Sequence, residues 1–204
     1  MIRRRGTLIV VSAPSGAGKT TLCREVRQRV PELVYSVSFT TRAPRSGEMD
    51  GKDFHFVTEP EFRSLLARGQ FAEWATVHGN LYGTSAPALD AELKRGRDVL
   101  LDIDTQGAAQ LHKRYAEAVL VFIVAPSLAE LEQRLRERRS DAEGEIQRRL
   151  DRAREEIALW RQYHYLIVNR DLKEAVAELE AIIIAERCRT GRLTLSLTDL
   201  EVPE

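Results

Sequence analysis

The segment Leu8–Leu22, LIVVSAPSGAGKTTL, decides how the rest of the chain is read. The apolar run Thr7 to Val11 is long enough for a buried strand, and it passes through small residues into Lys-Thr-Thr and the apolar start of a helix. Strand, glycine-rich loop and helix in that order make a phosphate-binding loop. Backbone N–H groups of Ser15 to Lys19 can wrap a polyphosphate only where side chains are small, so Gly16 and Gly18 supply close approach and permissive dihedrals. Lys19 adds a compact positive charge, the Thr20 hydroxyl is the expected Mg²⁺ ligand, and the helix N-terminus adds its partial charge. The expected contacts to nucleotide phosphates are therefore Ala13, Pro14, Ser15, Gly16, Ala17, Gly18, Lys19, Thr20 and Thr21. The general pattern G-x-x-x-x-G-K-[ST] is met except at its first position, where Ala13 stands. A bare strand-to-helix turn would not require the Gly-Lys-Thr ending.

Working outward, 204 residues with 43% hydrophobic content can bury one substantial core. Lysine plus arginine and aspartate plus glutamate each total 31, so no net field favours nucleic acid or an anionic membrane, and local charge must carry any phosphate recognition. Cys23 and Cys188 have no metal-ligand spacing and read as ordinary reduced thiols. The start MIRRRG is basic, but the apolar run after it is too short for a membrane span and leads straight into the phosphate loop. That argues against a signal peptide and makes a cytoplasmic location the expectation.

Strand-like runs recur at Leu8 to Val11, Val99 to Ile103, Val119 to Val124 and Leu166 to Val168, separated by segments of helical periodicity. Such continuous apolar strands suit an α/β fold, a parallel sheet covered by helices on both faces. The spacing predicts helices from Thr20 to about Arg29, ending before Pro31; from Pro60 to Arg68, with Gly69 as a stop; after Ala86; from Ser127, with Glu130 completing the cap; through Ile146, Leu150, Ala153, Ile157 and Trp160; and from Leu172 to about Cys188. Between Val34 and Pro87 a polar and aromatic stretch interrupts the alternation and looks like an inserted substrate-binding module. Phe71 to Ala75 and His78 to Thr84 read as short strands joined by a turn. The tail from Thr190 to Glu204 alternates weakly and receives no partner.

The combination of SAPSGAGKT, SVSFTTRAPRSGE, DGKDFHF, FAEWA, YGT, LLDID and LIVN, from about Thr7 to Leu179, closely resembles the guanylate kinase family. The resemblance implies a P-loop kinase that uses ATP and Mg²⁺ to phosphorylate GMP, with dGMP as a further expected substrate. It implies one domain over 1–204: a core of 1–34, 88–126 and 156–190, a GMP-binding insertion at about 35–87, a lid at about 127–155 and a tail at 190–204. Arg42 and Arg45 would hold the GMP phosphate with Tyr82, two guanidiniums and a phenol facing a dianion. Phe54 stands where the family usually has a further tyrosine, so one phosphate hydrogen bond is expected to be missing. Glu73 matches the base-reading glutamate, with Ser38, Thr84 and Asp104 in support; its carboxylate suits the N1–H and N2–H₂ donors of guanine, which adenine does not present.

Asp102, closing an apolar run, resembles the acid that orients Mg²⁺ with Thr20, while a helix cap is the plain alternative. In the arginine-rich lid, Arg134, Arg138 and Arg149 would face the transferring phosphoryl group, with Arg134, Arg138 and Asn169 also toward ATP. The expected catalytic set is thus Lys19, Arg42, Arg138 and Arg149. Glu137 and Arg139 replace glycines common in the family, whereas Arg136, Arg148, Arg152 and Arg154 receive no role and read as solvated helix charges. The expected partners are nucleotides, neither nucleic acid nor membrane, and the oligomeric state is left open, a homo-oligomer included. Two competing readings, a P-loop kinase for a phosphorylated sugar and a non-catalytic module binding phosphorylated partners, are disfavoured. Glu73 with Ser38 opposes the first, and the joint presence of Gly18, Lys19, Thr20, Asp102 and the lid arginines opposes the second.

Overall fold

The computed structural model describes residues 3–77, 79–137 and 143–194. In chain order the elements are β1 (Arg3–Arg4), β2 (Leu8–Ser12), α1 (Lys19–Arg29), β3 (Val34–Tyr35), β4 (Phe39–Thr40), β5 (His55–Phe56), α2 (Glu59–Ala67), β6 (Phe71–Val77), β7 (Asn80–Ser85), α3 (Ala86–Lys94), β8 (Val99–Asp102), α4 (Thr105–Arg114), β9 (Val119–Val124), α5 (Leu128–Glu137), α6 (Glu143–Ala158), β10 (Tyr165–Val168), α7 (Leu172–Arg187) and β11 (Leu193–Thr194). A five-stranded parallel sheet runs in the order β10-β9-β2-β8-β3, with β2 at its centre.

The alternation of side chains along a strand explains why β2 is apolar throughout. Ile9 and Val11 face Leu22 and Val26 of α1 and Val176, Leu179 and Ile183 of α7. Leu8 and Val10 face the other way, against Leu89 and Leu93 of α3 and Ala108 and Leu111 of α4. Each large aliphatic side chain buried this way contributes about 1.5–3 kcal/mol, so the loop that follows β2 hangs from a strand anchored on both faces. Helix ends follow local chemistry. Val30 is extended before Pro31 and closes α1. Thr58 and Glu61 form a capping box on α2, and Gly69, at φ +66°, turns the chain out of it. The Ser127 hydroxyl accepts the Glu130 N–H at 3.1 Å.

The second sheet is small, in the order β5-β4-β7-β6, with β4 and β5 parallel and the other pairs antiparallel. Its β6–β7 hairpin carries an irregularity: Phe71 pairs with Ser85 but Glu73 pairs with Thr84, so Ala72 is the extra residue of a bulge. The bulge changes the phase of the strand. Glu73 and Ala75 are turned inward while Trp74 points out.

Away from the site, the fully buried Asp98 accepts hydrogen bonds from Arg4, from the Thr7 N–H at 2.8 Å and from Arg187 at 2.6 Å. It ties the start of the chain to α7, and β1 pairs antiparallel with β11, which gives the beginning of the tail a partner that the sequence did not supply. Residues 195–204 of that tail lie outside the described residues. Cys23 is buried in α1 and Cys188 is exposed. No helix among the described residues is long and apolar enough to cross a membrane.

Candidate active site

The loop after β2 keeps Gly16 and Gly18 at φ +92° and +90°, conformations that a side chain would strain. Gly18 has a second constraint, since a Cβ there would lie 2.4 Å from Nδ2 of Asn169. That amide donates to the Ala17 carbonyl at 2.8 Å, and Asn169 is buried, so it braces the loop from behind. Lys19 opens α1, and its Nζ lies 2.6 Å from Oδ1 of Asp102 and donates to the Ile103 carbonyl at 2.9 Å. Burial alone would lower the Lys19 pKa, but the Asp102 carboxylate outweighs it and the net shift is upward, so the lysine stays charged. The Thr20 hydroxyl reaches Oδ2 of the same Asp102 at 3.1 Å.

Register explains the meeting of loop and acid, because Val11 pairs directly with Asp102 on the neighbouring parallel strand. Asp102 does not cap a helix. That place belongs to Asp104, whose carboxylate accepts the Gly107 N–H at 2.8 Å at the start of α4. Thr20 and Asp102 offer adjacent hard oxygens, a donor set that suits Mg²⁺ with phosphate and water completing its shell.

In the insertion, Glu73 is 5% exposed and its Oε1 accepts the Thr84 hydroxyl at 2.6 Å, the cross-strand pair that the bulge creates. Burial pushes its pKa up to about 7; Asp104 adds to the shift and the Thr84 bond opposes it. Ser38, half-buried, precedes β4 and its carbonyl accepts the His55 N–H at 2.9 Å. Arg42 is held on several sides. Its guanidinium forms a bidentate pair with Glu48 at 2.8 and 3.0 Å, its Nε donates to the Tyr82 hydroxyl at 3.3 Å, and its Cζ lies 5.3 Å from the Phe54 ring and 5.9 Å from that of Phe56. Glu48 also accepts the Arg45 backbone N–H at 2.7 Å, while the Arg45 side chain lies at the surface. The structure thus joins Arg42 and Tyr82 directly, and Glu48 is the organising residue that the sequence reading passed over.

A cleft of about 310 Å³ opens above the loop. It is lined by loop residues including Gly16, Lys19 and Thr20, by Thr76 and Val77 of β6, by Asp104 and Gln106, and by Arg149, Arg152 and Glu156 of α6. Arg149 therefore reaches the site, and so does Arg152, whose position in the sequence suggests no more than a solvated charge. Its spacing of three from Arg149 on one helix was the signal available. Burial raises the Glu156 pKa, with Lys19 and Arg152 opposing the shift. Arg134 donates to the Asn169 carbonyl at 3.0 Å and pairs with Glu130, placing it beside the brace of the loop. Arg138 and Arg139 lie outside the described residues.

A family model described as guanylate kinase matches residues 5–186. The chain belongs to the guanylate kinase family. It is 51% identical over 198 residues to the guanylate kinase of Geobacter metallireducens, covering 97% of this chain and 98% of the relative. It is 53% identical over 192 residues to that of Syntrophotalea carbinolica, covering 94% and 91%. Among solved structures, the crystal structure of guanylate kinase from Anaplasma phagocytophilum superposes with a TM-score of 0.80 at 34% identity, covering 98% of this chain and 95% of that one. Guanylate kinase family membership makes the protein a nucleoside monophosphate kinase, a transferase acting on nucleotides, built on a parallel sheet flanked by helices.

Proposed function

We propose that the site transfers the γ-phosphoryl group of ATP to GMP, giving ADP and GDP in cytoplasmic purine nucleotide metabolism, and in the same way to dGMP, giving dGDP. An oxygen of the GMP phosphate forms the new bond to the γ-phosphorus as the bond to the β-bridging oxygen breaks, so no protein side chain need become covalently attached. The loop N–H groups and Lys19 hold the donor phosphates, Arg42 with Tyr82 and Arg45 holds the acceptor phosphate, and Arg149 with Arg138 meets the charge spread over the transferring group. Mg²⁺, held through Thr20 and Asp102, supplies further neutralisation of phosphate charge when bound. Asn169 and Arg134 serve the donor side, and Ser38, Thr84 and Asp104 support Glu73 at the base.

The observation that carries the choice of guanine is the burial of Glu73 with Thr84 as the hydrogen-bonding partner of its carboxyl among the described residues. A buried carboxylate short of donors favours a base edge that brings paired N–H groups and rejects one that does not. Steady-state rates with MgATP and GMP, dGMP, AMP, UMP or ribose phosphates test the reading. GMP and dGMP should lead in kcat/KM. A pyrimidine or sugar phosphate that matched GMP would overturn it.

A further inference from the structure

Three glycines of the site leave little or no room for a Cβ, and only one of them has no backbone reason to be glycine. Gly16 and Gly18 lie at positive φ, but Gly107 sits inside α4 with helical dihedrals, where alanine would otherwise strengthen the helix. A Cβ at position 107 would lie 2.5 Å from Oε2 of Glu73, 3.1 Å from its carboxyl carbon and 3.3 Å from Oδ1 of Asp104. The need for glycine is therefore imposed from outside the helix, by the carboxyl group that reads the base.

Glu73 has little room to step aside. Its Oε1 is fixed by Thr84 at 2.6 Å, and the next residue along is clamped to the same helix. The Gln110 side-chain amide accepts the Trp74 N–H at 3.2 Å and donates to the Trp74 carbonyl at 2.8 Å, taking both hydrogen-bonding groups of that residue as a neighbouring strand would. Arg114 completes the stripe by donating to the Phe71 carbonyl at 3.2 Å. Gly107, Gln110 and Arg114 share one face of α4, so β6 is bound to the core helix on both sides of Glu73.

We propose that Gly107 is a specificity-determining positioning residue: its missing side chain leaves a notch that seats the Glu73 carboxyl group, and Gln110 holds the strand so that this seat sets where the carboxyl group meets the base. The proposal rests on the reading of Glu73 as the guanine contact. Addition of one methyl group at position 107 swings the carboxyl group off its seat while the phosphate contacts of both nucleotides stay in place. The effect therefore falls on base discrimination, carried by the KM for GMP, and leaves the KM for ATP alone.

The test is a double-mutant cycle on wild type, Gly107→Ala, Glu73→Ala and the double variant, with kcat and KM for GMP, AMP and ATP and a thermal melt of each. Gly107→Ala should lower the ratio of kcat/KM for GMP over AMP by about tenfold. In the Glu73→Ala background the same substitution should leave the ratio unchanged, because the group it displaces is gone. An equal fall in both backgrounds, or an unchanged ratio in a folded Gly107→Ala protein, overturns the proposal. If Glu73→Ala lowers the ratio and Gly107→Ala does not, the guanine reading stands and the proposal alone falls; if Glu73→Ala leaves the ratio untouched, both fall. Gln110→Ala, which removes the clamp without adding bulk, should lower the ratio roughly fivefold. It decides the matter should Gly107→Ala fail to fold, since an unchanged ratio there also overturns the seat.

Discussion

The phosphate loop presents backbone groups fixed to a strand buried on both faces, whereas the insertion proposed to bind GMP presents side chains that hold one another. On the donor side Gly16, Gly18 and Lys19 lie within four consecutive residues, and Asp102 is brought to them by the register of adjacent parallel strands. On the acceptor side Arg42 depends on Glu48, Tyr82 and Phe54, and Glu73 depends on Thr84 and Gly107, residues scattered along the chain and gathered only by folding. The difference has a mechanical consequence. A change on the donor side acts on the ligand directly, while a change on the acceptor side travels through a partner before it reaches the substrate.

Lys19→Ala is the largest break that this comparison offers. With the backbone cradle intact but its charge removed, kcat should fall about 10²–10³-fold while the fold persists, because Thr20 still donates to Asp102. Single-turnover kinetics with a thermal melt separates the two effects. Near-normal turnover in a folded variant would show that the loop N–H groups suffice and that Lys19 has no part in transfer.

Glu73→Gln probes the acceptor side at its most buried point. One acceptor oxygen becomes a donor, so kcat/KM for GMP should fall about 100-fold with AMP far less affected. The raised Glu73 pKa, about 7 against an ordinary 4.5, adds a pH signature. Between those values the folded protein holds a proton that the unfolded chain has lost, so this group's contribution to stability is complete below the lower value and is lost as pH rises through the upper one. Urea melts should therefore show wild type losing about 2–3 kcal/mol more than Glu73→Gln from about pH 5 to about pH 8. If Glu73 reads guanine as proposed, GMP takes the ionised carboxylate and its binding near pH 6 should release a proton, measurable by calorimetry in two buffers of different ionisation enthalpy. Parallel pH–stability curves for the two proteins would assign the raised pKa to another group.

The same contrast explains what the sequence disclosed. Leu8 to Thr20 and the acid ending VLLD were legible because each is a local pattern whose meaning does not depend on distant residues. The α/β alternation was equally plain. Glu73 was recognisable only through family resemblance, since its burial is decided by the bulge at Ala72, by Thr84 across the hairpin and by α4. Helix α4 itself, TQGAAQLHKR, carries only Leu111 as a large aliphatic residue and gave no strong stripe to read. Glu48 escaped notice because an acid among arginines in a loop reads as surface charge until its bidentate geometry is seen.

A partner-mediated effect of intermediate size is expected from Glu48→Ala. Removal of the bidentate carboxylate frees Arg42 to take other rotamers and loosens the turn closed through the Arg45 N–H. The KM for GMP should rise about tenfold with the KM for ATP unchanged. A fall in the KM for GMP would reverse the assignment, making Glu48 a competitor of the substrate phosphate for Arg42.

The smallest effect, and the finest test of the acceptor side, comes from Phe54→Tyr. Phe54 is half-buried, with its ring 5.3 Å from the Arg42 guanidinium carbon and 6.0 Å from the Tyr82 ring at an interplanar angle of 69°. The phenyl ring is thus already employed as a face for Arg42, and a hydroxyl at its far edge adds a donor without removing that packing. Because Tyr82 and Arg42 are the donors proposed for the same phosphate, the new bond should contribute only about 1 kcal/mol, a roughly fivefold lower KM for GMP at unchanged kcat. Combination with Tyr82→Phe sharpens the comparison. If the two phenols serve one phosphate, Phe54→Tyr should recover part of what Tyr82→Phe loses, whereas an unchanged KM in both backgrounds would mean that the edge of ring 54 does not face the acceptor phosphate.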